Sequence, residues 1–171
     1  TQYNLLGANL NTIDGGVGFD TLIWNGSYDL GHNTDQTGVD ATSPAYPREI
    51  GVHSIDMLDI ASSGATGLSI TLQASDVATI TAGSDFDRSA LTGLGLTGVG
   101  DTLFVNTGDS NQILLPEEWT NLGSVVFRGV NYIAYQNGAE VLLVDHAPIF
   151  PNLPVVATLT ATTINAMAGQ T

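Results

Sequence analysis

Apolar and polar residues alternate along short segments of the chain, which is the pattern of half-buried β-strands. The alternation is strict over residues 68–72 and is also present over residues 52–60. β-Branched and aromatic residues, which are common in strands, are concentrated in residues 21–24. The pattern therefore predicts an all-β fold.

The clearest hairpin signals lie toward the C-terminal end. Apolar segments at residues 124–127 and 132–135 flank a short polar connection, and a third segment at 140–144 follows the pair Asn137-Gly138. An Asn-Gly pair between two strands is a strong signal of a type I′ turn. We therefore predict a C-terminal antiparallel meander of three strands.

The remaining segments predict long loops and one or two short helical turns. Ser75 is a suitable N-cap for apolar residues at i,i+3 spacing, and Pro116 opens a second predicted helical turn that carries two glutamates. Residues 25–47 and 82–100 are rich in glycine and aspartate and are predicted to be loops. Together these elements indicate a β-roll or β-sandwich-like domain.

The length of 171 residues favours one domain, which we assign to residues 1–147, followed by an extended β-prone tail at 148–171. The chain has 17 acidic residues against 3 arginines and a net charge of −14. This charge excludes nucleic acid and anionic membranes as expected partners and favours bound cations. No apolar run approaches the roughly 20 residues of a membrane helix, so no membrane insertion is expected. Cysteine is absent, so disulfides cannot stabilise the fold.

A glycine-rich turn carries the candidate chemistry. Three glycines occur within residues 15–18, and Asp14 and Asp20 flank them. Glycine permits a sharp turn, and carboxylates and backbone carbonyls are the oxygen ligands that calcium prefers. The turn is therefore a predicted calcium site, and the alternative is that both aspartates only cap the turn.

Calcium takes about six to eight oxygen ligands, so further ligands must come from elsewhere in the chain. Residues 98–103 partly repeat the glycine-rich turn, which makes Asp101 the first candidate, together with Asp109. Asp56 and Asp59 come next. For all four, an ordinary turn or surface aspartate is the alternative.

The segments GGVGFDTLIW, VHSIDMLDIASSG, GDTLFVNTGD and GSVVFRGVNYIAYQNGAEVLLVD occur in this order within residues 11–145. Together they resemble the module near the C-terminal end of repeats-in-toxin (RTX) adhesins and related type I-secreted bacterial surface proteins. The resemblance implies a calcium-dependent, secreted, extracellular all-β module that folds after export. It also implies that Asp20 binds calcium through its carboxylate, and Gly15 and Gly18 through their carbonyls.

We therefore expect a structural or adhesive module of a bacterial cell surface, and no catalytic motif in the sequence indicates an enzyme. One alternative is a self-assembling subunit of a filament or surface layer, joined to copies of itself by strand addition of residues 155–171. Another is a calcium-dependent carbohydrate-binding module that stacks surface glycans on Trp24, Tyr28 and Tyr46. Core or loop packing is the alternative role for these three side chains.

Overall fold

The computed structural model describes residues 2–4, 12–25 and 51–151, and the structural statements below concern these residues. The fold is all-β, as predicted, with one α-helix and two single 3₁₀ turns in the described ranges. The strands are β1 (Gln2–Asn4), β2 (Thr12–Asp14), β3 (Thr21–Ile23), β4 (Gly51–His53), β5 (Met57–Asp59), β6 (Ser69–Thr71), β7 (Thr102–Asn106), β8 (Gln112–Leu114), β9 (Thr120–Phe127), β10 (Val130–Asn137) and β11 (Glu140–Val144). The helix α1 is Ala74–Ile80, and the 3₁₀ turns are Ala61–Ser63 and Arg88–Ala90.

The largest sheet has seven strands in the order β1-β3-β5-β7-β11-β10-β9. The strands from β1 to β11 in this order pair in parallel, whereas β11, β10 and β9 form the predicted antiparallel meander. Two smaller parallel pairs, β2–β4 and β6–β8, lie in the connections between strands of the large sheet. Each of the strands β1, β3, β5 and β7, together with the small-sheet strand that follows it, thus forms one coil of the chain. Successive coils add along the sheet from β1 to β7, which corresponds to a roll rather than to a sandwich.

The two hairpin turns of the meander differ from the predicted ones. Arg128 and Gly129, between the paired residues Phe127 and Val130, have φ values of 49° and 84°. Positive φ at both central positions is the signature of a type I′ turn. In the second hairpin, Gly138 has φ 63° and is the first central residue. Glycine at that position is typical of a type II′ turn, so the predicted type I′ turn at Asn137-Gly138 is wrong.

The helix α1 begins earlier than predicted, and its N-terminus is capped both locally and by a distant segment. Gln73, rather than Ser75, precedes its first turn, and the Gln73 N–H donates to the Asp76 carboxylate at 2.8 Å. The Ala74 N–H donates to Oε2 of Glu117 at 2.9 Å. The predicted helical turn at Pro116 is not formed. Glu117 extends toward α1 instead and satisfies an N–H group that the helix itself leaves open.

The central strands are buried on both faces, as is usual for parallel strands. Inside the coils, Leu22, Leu58 and Val105 pack with residues of α1 and of the smaller sheets. On the outer face, Phe104 and Leu143 pack under the β9–β10 hairpin and the segment 86–96. The fold therefore needs both the coils and the meander to cover the β5-β7-β11 region.

The folded part extends beyond the predicted domain boundary at residue 147. The Ile149 N–H donates to the Ile113 carbonyl, and the Leu115 N–H donates to the Ile149 carbonyl, both at 2.8 Å. The Phe150 ring lies 5.7 Å from the Tyr135 ring. Residues 148–151 are thus attached to β8 and the core, and the remainder of the tail lies outside the described residues. No helix in the described ranges is long and apolar enough to cross a membrane.

Candidate metal centre at the glycine turn

The glycine turn joins β2 to β3. The Gly15 N–H donates to the His53 carbonyl at 3.1 Å, which continues the β2–β4 pairing. The Gly16 N–H donates to Oδ1 of Asp14 at 3.0 Å. This short-range bond is the capping role named above as the alternative to calcium ligation for Asp14. The Asp14 side chain is solvent-exposed, so the turn itself accounts for its position.

Gly15 allows a close approach that no other residue would permit. A Cβ atom at this position would lie 2.0 Å from the Ser54 carbonyl oxygen and 2.8 Å from the Cβ of Asp20. The backbone of the turn therefore rests directly on Asp20. This close approach explains why position 15 requires glycine, whether or not a metal is bound.

Asp20 and Asp56 form the buried centre of the site, with both residues 0% exposed. The Asp20 N–H donates to Oδ2 of Asp56 at 2.7 Å. In return, the Asp20 carbonyl accepts the N–H groups of Asp56 and Met57, each at 3.0 Å. Asp20 directly precedes β3 and Asp56 directly precedes β5. Because Thr21 pairs with Met57 at the start of these strands, the two aspartates lie side by side.

A third carboxylate, that of Asp85, lies close enough to this pair to act on Asp56 through its charge. Asp85 accepts the Gly18 N–H at 3.0 Å, which connects the segment 82–100 to the glycine turn. Burial raises the pKa of Asp56, and the negative charges of Asp20 and Asp85 add to the increase. The Ser84 hydroxyl, which donates to Oδ1 of Asp56, and the Asp20 N–H oppose it. The net effect is a raised pKa, so a bound cation or a proton would relieve this site.

The structure places Asp101 and Asp109 at opposite ends of β7, so they do not both lie at this centre. Asp101 precedes β7, where its Oδ1 lies 3.3 Å from the Thr81 hydroxyl and its carbonyl accepts an Arg88 N–H at 2.7 Å. Asp109 follows β7 at the opposite end of that strand, and its carboxylate lies 3.1 Å from Nε2 of His146. The structure therefore does not bring Asp109 to the glycine turn.

The register of the strands and the local contacts of Asp59 explain why these candidates lie away from the glycine turn. Met57 pairs with Phe104 rather than with Thr102, so the partial repeat at 98–103 is out of register with the glycine turn. Asp59 accepts the Ser62 N–H and the Asn106 side-chain amide, both at 3.0 Å, and so stabilises the far end of β5. Asp85 carries no spacing signal in the sequence, because its position depends on how a long loop folds back.

The residues fit a cation only in part. Among the residues that the structure describes, no group of three or more acidic or histidine side chains is arranged to hold a metal ion. Asp20 and Asp56 nevertheless supply buried oxygen donors of the type that calcium takes, with backbone carbonyls such as that of Ser54 at the same turn. Glycine carbonyls of the turn would have to complete the set.

Of the three predicted glycan-binding side chains, only that of Trp24 lies in the described residues. Trp24 is 8% exposed and packs in the inner core, so its ring is not offered to solvent. Tyr28 and Tyr46 lie outside the described residues, as does most of the loop at 25–47. Glycan binding through these tyrosines stays a prediction.

An aromatic cluster, which the sequence pattern did not indicate, fastens the glycine turn to the meander. The Phe19 ring lies 5.9, 5.3 and 5.5 Å from the rings of Phe86, Phe104 and Phe127. The Arg128 guanidinium carbon stands 3.9 Å from the Phe19 ring centre. This geometry is that of a cation–π contact. Phe19 thus holds the turn against the first hairpin.

Comparison of the chain with models of known protein families, with curated proteins and with solved structures found no match.

Proposed function

We propose that this chain is a non-enzymatic structural or adhesive module of a secreted bacterial surface protein, and that calcium stabilises it at the glycine turn. The observation that carries the proposal is the burial of Asp20 and Asp56 in direct contact beneath the turn. Two carboxylates removed from water are costly unless a cation or a proton compensates their charge.

The overall charge supports the same proposal. With a net charge of −14, the folded chain repels itself, and a divalent cation would reduce that repulsion. Calcium would bind the folded arrangement of Asp20 and Asp56 and not the unfolded chain. Such binding stabilises a fold by mass action, by about 2.7 kcal/mol at a free concentration one hundred times the dissociation constant.

The extracellular role is supported by the resemblance of residues 11–145 to the RTX adhesin module. Low calcium inside a cell would leave the acidic chain weakly folded, and higher calcium outside would favour the fold. The all-β coils supply a rigid structure for display, and adhesion to a surface ligand is part of the proposal.

Thermal unfolding with EDTA and with increasing calcium tests the proposal. We expect calcium to raise the melting temperature of the wild-type chain by several degrees, since about 1 kcal/mol shifts it by roughly 2–4 °C at this chain length. Asp56→Asn should lose most of this response, because it removes one charged oxygen donor. The matched control Asp109→Asn, at an exposed carboxylate remote from the turn, should respond like the wild type. An identical wild-type melting temperature in EDTA and in calcium would refute calcium stabilisation.

A further inference from the structure

The outer edge of β9 is the feature that the proposed calcium site leaves unexplained. β9 is the last strand of the seven-stranded sheet, and in the described ranges it pairs only with β10. An edge strand presents a row of backbone N–H and C=O groups to which another strand can bind. The strand at the opposite edge, β1, has three residues, whereas β9 has eight.

β9 lacks most of the devices that protect sheet edges. Its sequence, TNLGSVVF, contains no charged residue and no proline, and Val126 is 66% exposed. Protected edges are usually short, charged or interrupted by proline. One bulge is present, where Leu122 has no partner between Asn121 and Gly123. The run from Ser124 to Phe127 remains regular.

The same chain carries a segment with the composition of a complementary strand. Residues 155–164 read VVATLTATTI, with β-branched residues at most positions and without glycine, proline or charge. No residue from 147 to 171 is charged. Contact between this segment and β9 would therefore bring no like charges together, even between chains of net charge −14.

The position at which the described chain ends favours donation to a second copy. Phe150 packs on Tyr135, and Tyr135 pairs with Asn121 near the start of β9. The four Cα–Cα steps from Pro151 to Val155 span at most about 14 Å, whereas Phe127 lies about 20 Å along β9 from Asn121. Within its own chain the segment would thus enter parallel to β9. In a second copy it is free to pair antiparallel, which is the slightly more stable arrangement.

We propose that residues 155–164 of one chain add as an antiparallel strand to the outer edge of β9 in a second copy. Because each chain carries one donor segment and one acceptor edge, the contact is head-to-tail and repeats from chain to chain. This proposal does not depend on calcium, since neither β9 nor the donor segment contains a carboxylate.

A complementation experiment on full-length chains tests this proposal. Val126→Lys places a charge on the acceptor edge, and the double variant Leu159→Pro/Thr162→Pro disrupts the donor segment. We expect the wild type to form oligomers whose size rises with concentration in light scattering and sedimentation. Each variant alone should be monomeric at the same concentration, with association weakened by about tenfold or more. An equimolar mixture of the two variants should form a one-to-one complex, because one has an intact donor and the other an intact acceptor.

Matched controls separate the edge contact from general effects. Val99→Lys makes the same change at a valine that is 62% exposed and lies outside β9, and Ala168→Pro places proline beyond the donor segment. Both should assemble like the wild type. Added lysine lowers the net negative charge, so increased repulsion cannot explain a loss of assembly by Val126→Lys. Ser124→Lys provides a second edge variant if circular dichroism shows that Val126→Lys is unfolded.

Three outcomes would overturn the proposal. A wild type that is monomeric at every concentration would do so, and so would oligomers that persist in both folded edge variants. If the equimolar mixture contains only monomers while the wild type assembles, the intact donor of one chain does not reach the edge of another. Assembly of the wild type would then have to use a different surface.

Discussion

The backbone N–H of Asp20 donates to Oδ2 of Asp56 at 2.7 Å, so one acidic residue holds the carboxylate of another inside the protein. Both residues are inaccessible to solvent. The bond connects the residues that directly precede β3 and β5, two neighbouring strands of the large sheet, and lies directly under the glycine turn. Stability at this point should therefore respond to any change that adds or removes negative charge.

The raised pKa of Asp56 predicts an unusual dependence of stability on pH. Its folded-state pKa lies above the ordinary value of 3.8, so the folded chain binds this proton more tightly than the unfolded chain. The stabilising contribution is full below 3.8 and is lost as the pH rises through the raised pKa. In EDTA, we expect Asp56→Asn to reduce this loss of stability, measured by urea unfolding across a pH series. Equal pH slopes for Asp56→Asn and wild type would contradict the prediction, and Asp109→Asn serves as the control.

Gly15→Ala should be among the most destabilising substitutions at the turn. The new Cβ would lie 2.0 Å from the backbone oxygen of Ser54, and no side-chain rotation can relieve a contact with backbone. We expect a loss of about 3 kcal/mol or more in the free energy of unfolding. Gly18→Ala is the comparison, since a Cβ there meets nothing within 4 Å and only the φ of 100° is unfavourable. Its cost should be about 1–2 kcal/mol. A smaller effect at Gly15 than at Gly18 would show that the close approach is relieved by backbone movement.

The Arg128–Phe19 contact should be measurable as a coupling energy. We expect a double-mutant cycle of Arg128→Ala and Phe19→Leu to give about 0.5–1 kcal/mol, the value typical of a cation–π pair near solvent. Arg128 also has a φ of 49°, which is unfavourable for a residue with a side chain. Arg128→Gly should therefore destabilise the fold less than Arg128→Ala. Additive single effects in the cycle would remove Arg128 from the account of how the turn is held.

Two adjacent glutamates offer a matched test of helix capping. Glu117 accepts the Ala74 N–H at 2.9 Å and the Asn137 side-chain amide at 3.1 Å, whereas Glu118 is exposed. Glu117→Ala should lower the free energy of unfolding by about 1–2 kcal/mol, as the loss of a helix cap typically does. Glu118→Ala should stay within about 0.5 kcal/mol of the wild type in urea titrations. Similar costs for both substitutions would mean that net charge, and not capping, determines the effect.

The meander could be predicted from sequence because its strands are long and are joined by turns of two residues. Residues 130–137, for example, pair with neighbours close to them in the chain. Even there, the turn type at Gly138 was wrong, since the hairpin register and not the Asn-Gly pair alone fixes which residues are central. The burial of Trp24 agrees with core packing, which was named above as the alternative to glycan binding.

The parallel coils could not be predicted in the same way. Strands such as β3 and β5 have three residues each, and their pairing depends on partners dozens of residues away. For the same reason, the sequence indicated neither the position of Asp85 nor the cluster of Phe19, Phe86, Phe104 and Phe127. Each of these residues is ordinary within its own segment, and only the return of the chain brings them together. Of the distant candidates that the sequence offered, the structure places Asp56 against Asp20 and places Asp59 and Asp109 elsewhere, while calcium binding at Asp14–Asp20 stays a prediction.

The arrangement of the sheet also has a consequence for the order of folding. Pairings that close short loops form quickly, whereas those that join distant segments must first overcome the entropy of a long loop. Here the short loops lie in the meander, next to the C-terminal end of the described fold, and the long ones lie among β3, β5 and β7. We therefore expect residues 120–144 to be structured in the folding transition state and the N-terminal coils to add afterwards. A chain that emerges N-terminus first would then remain largely unfolded until its last strands are available.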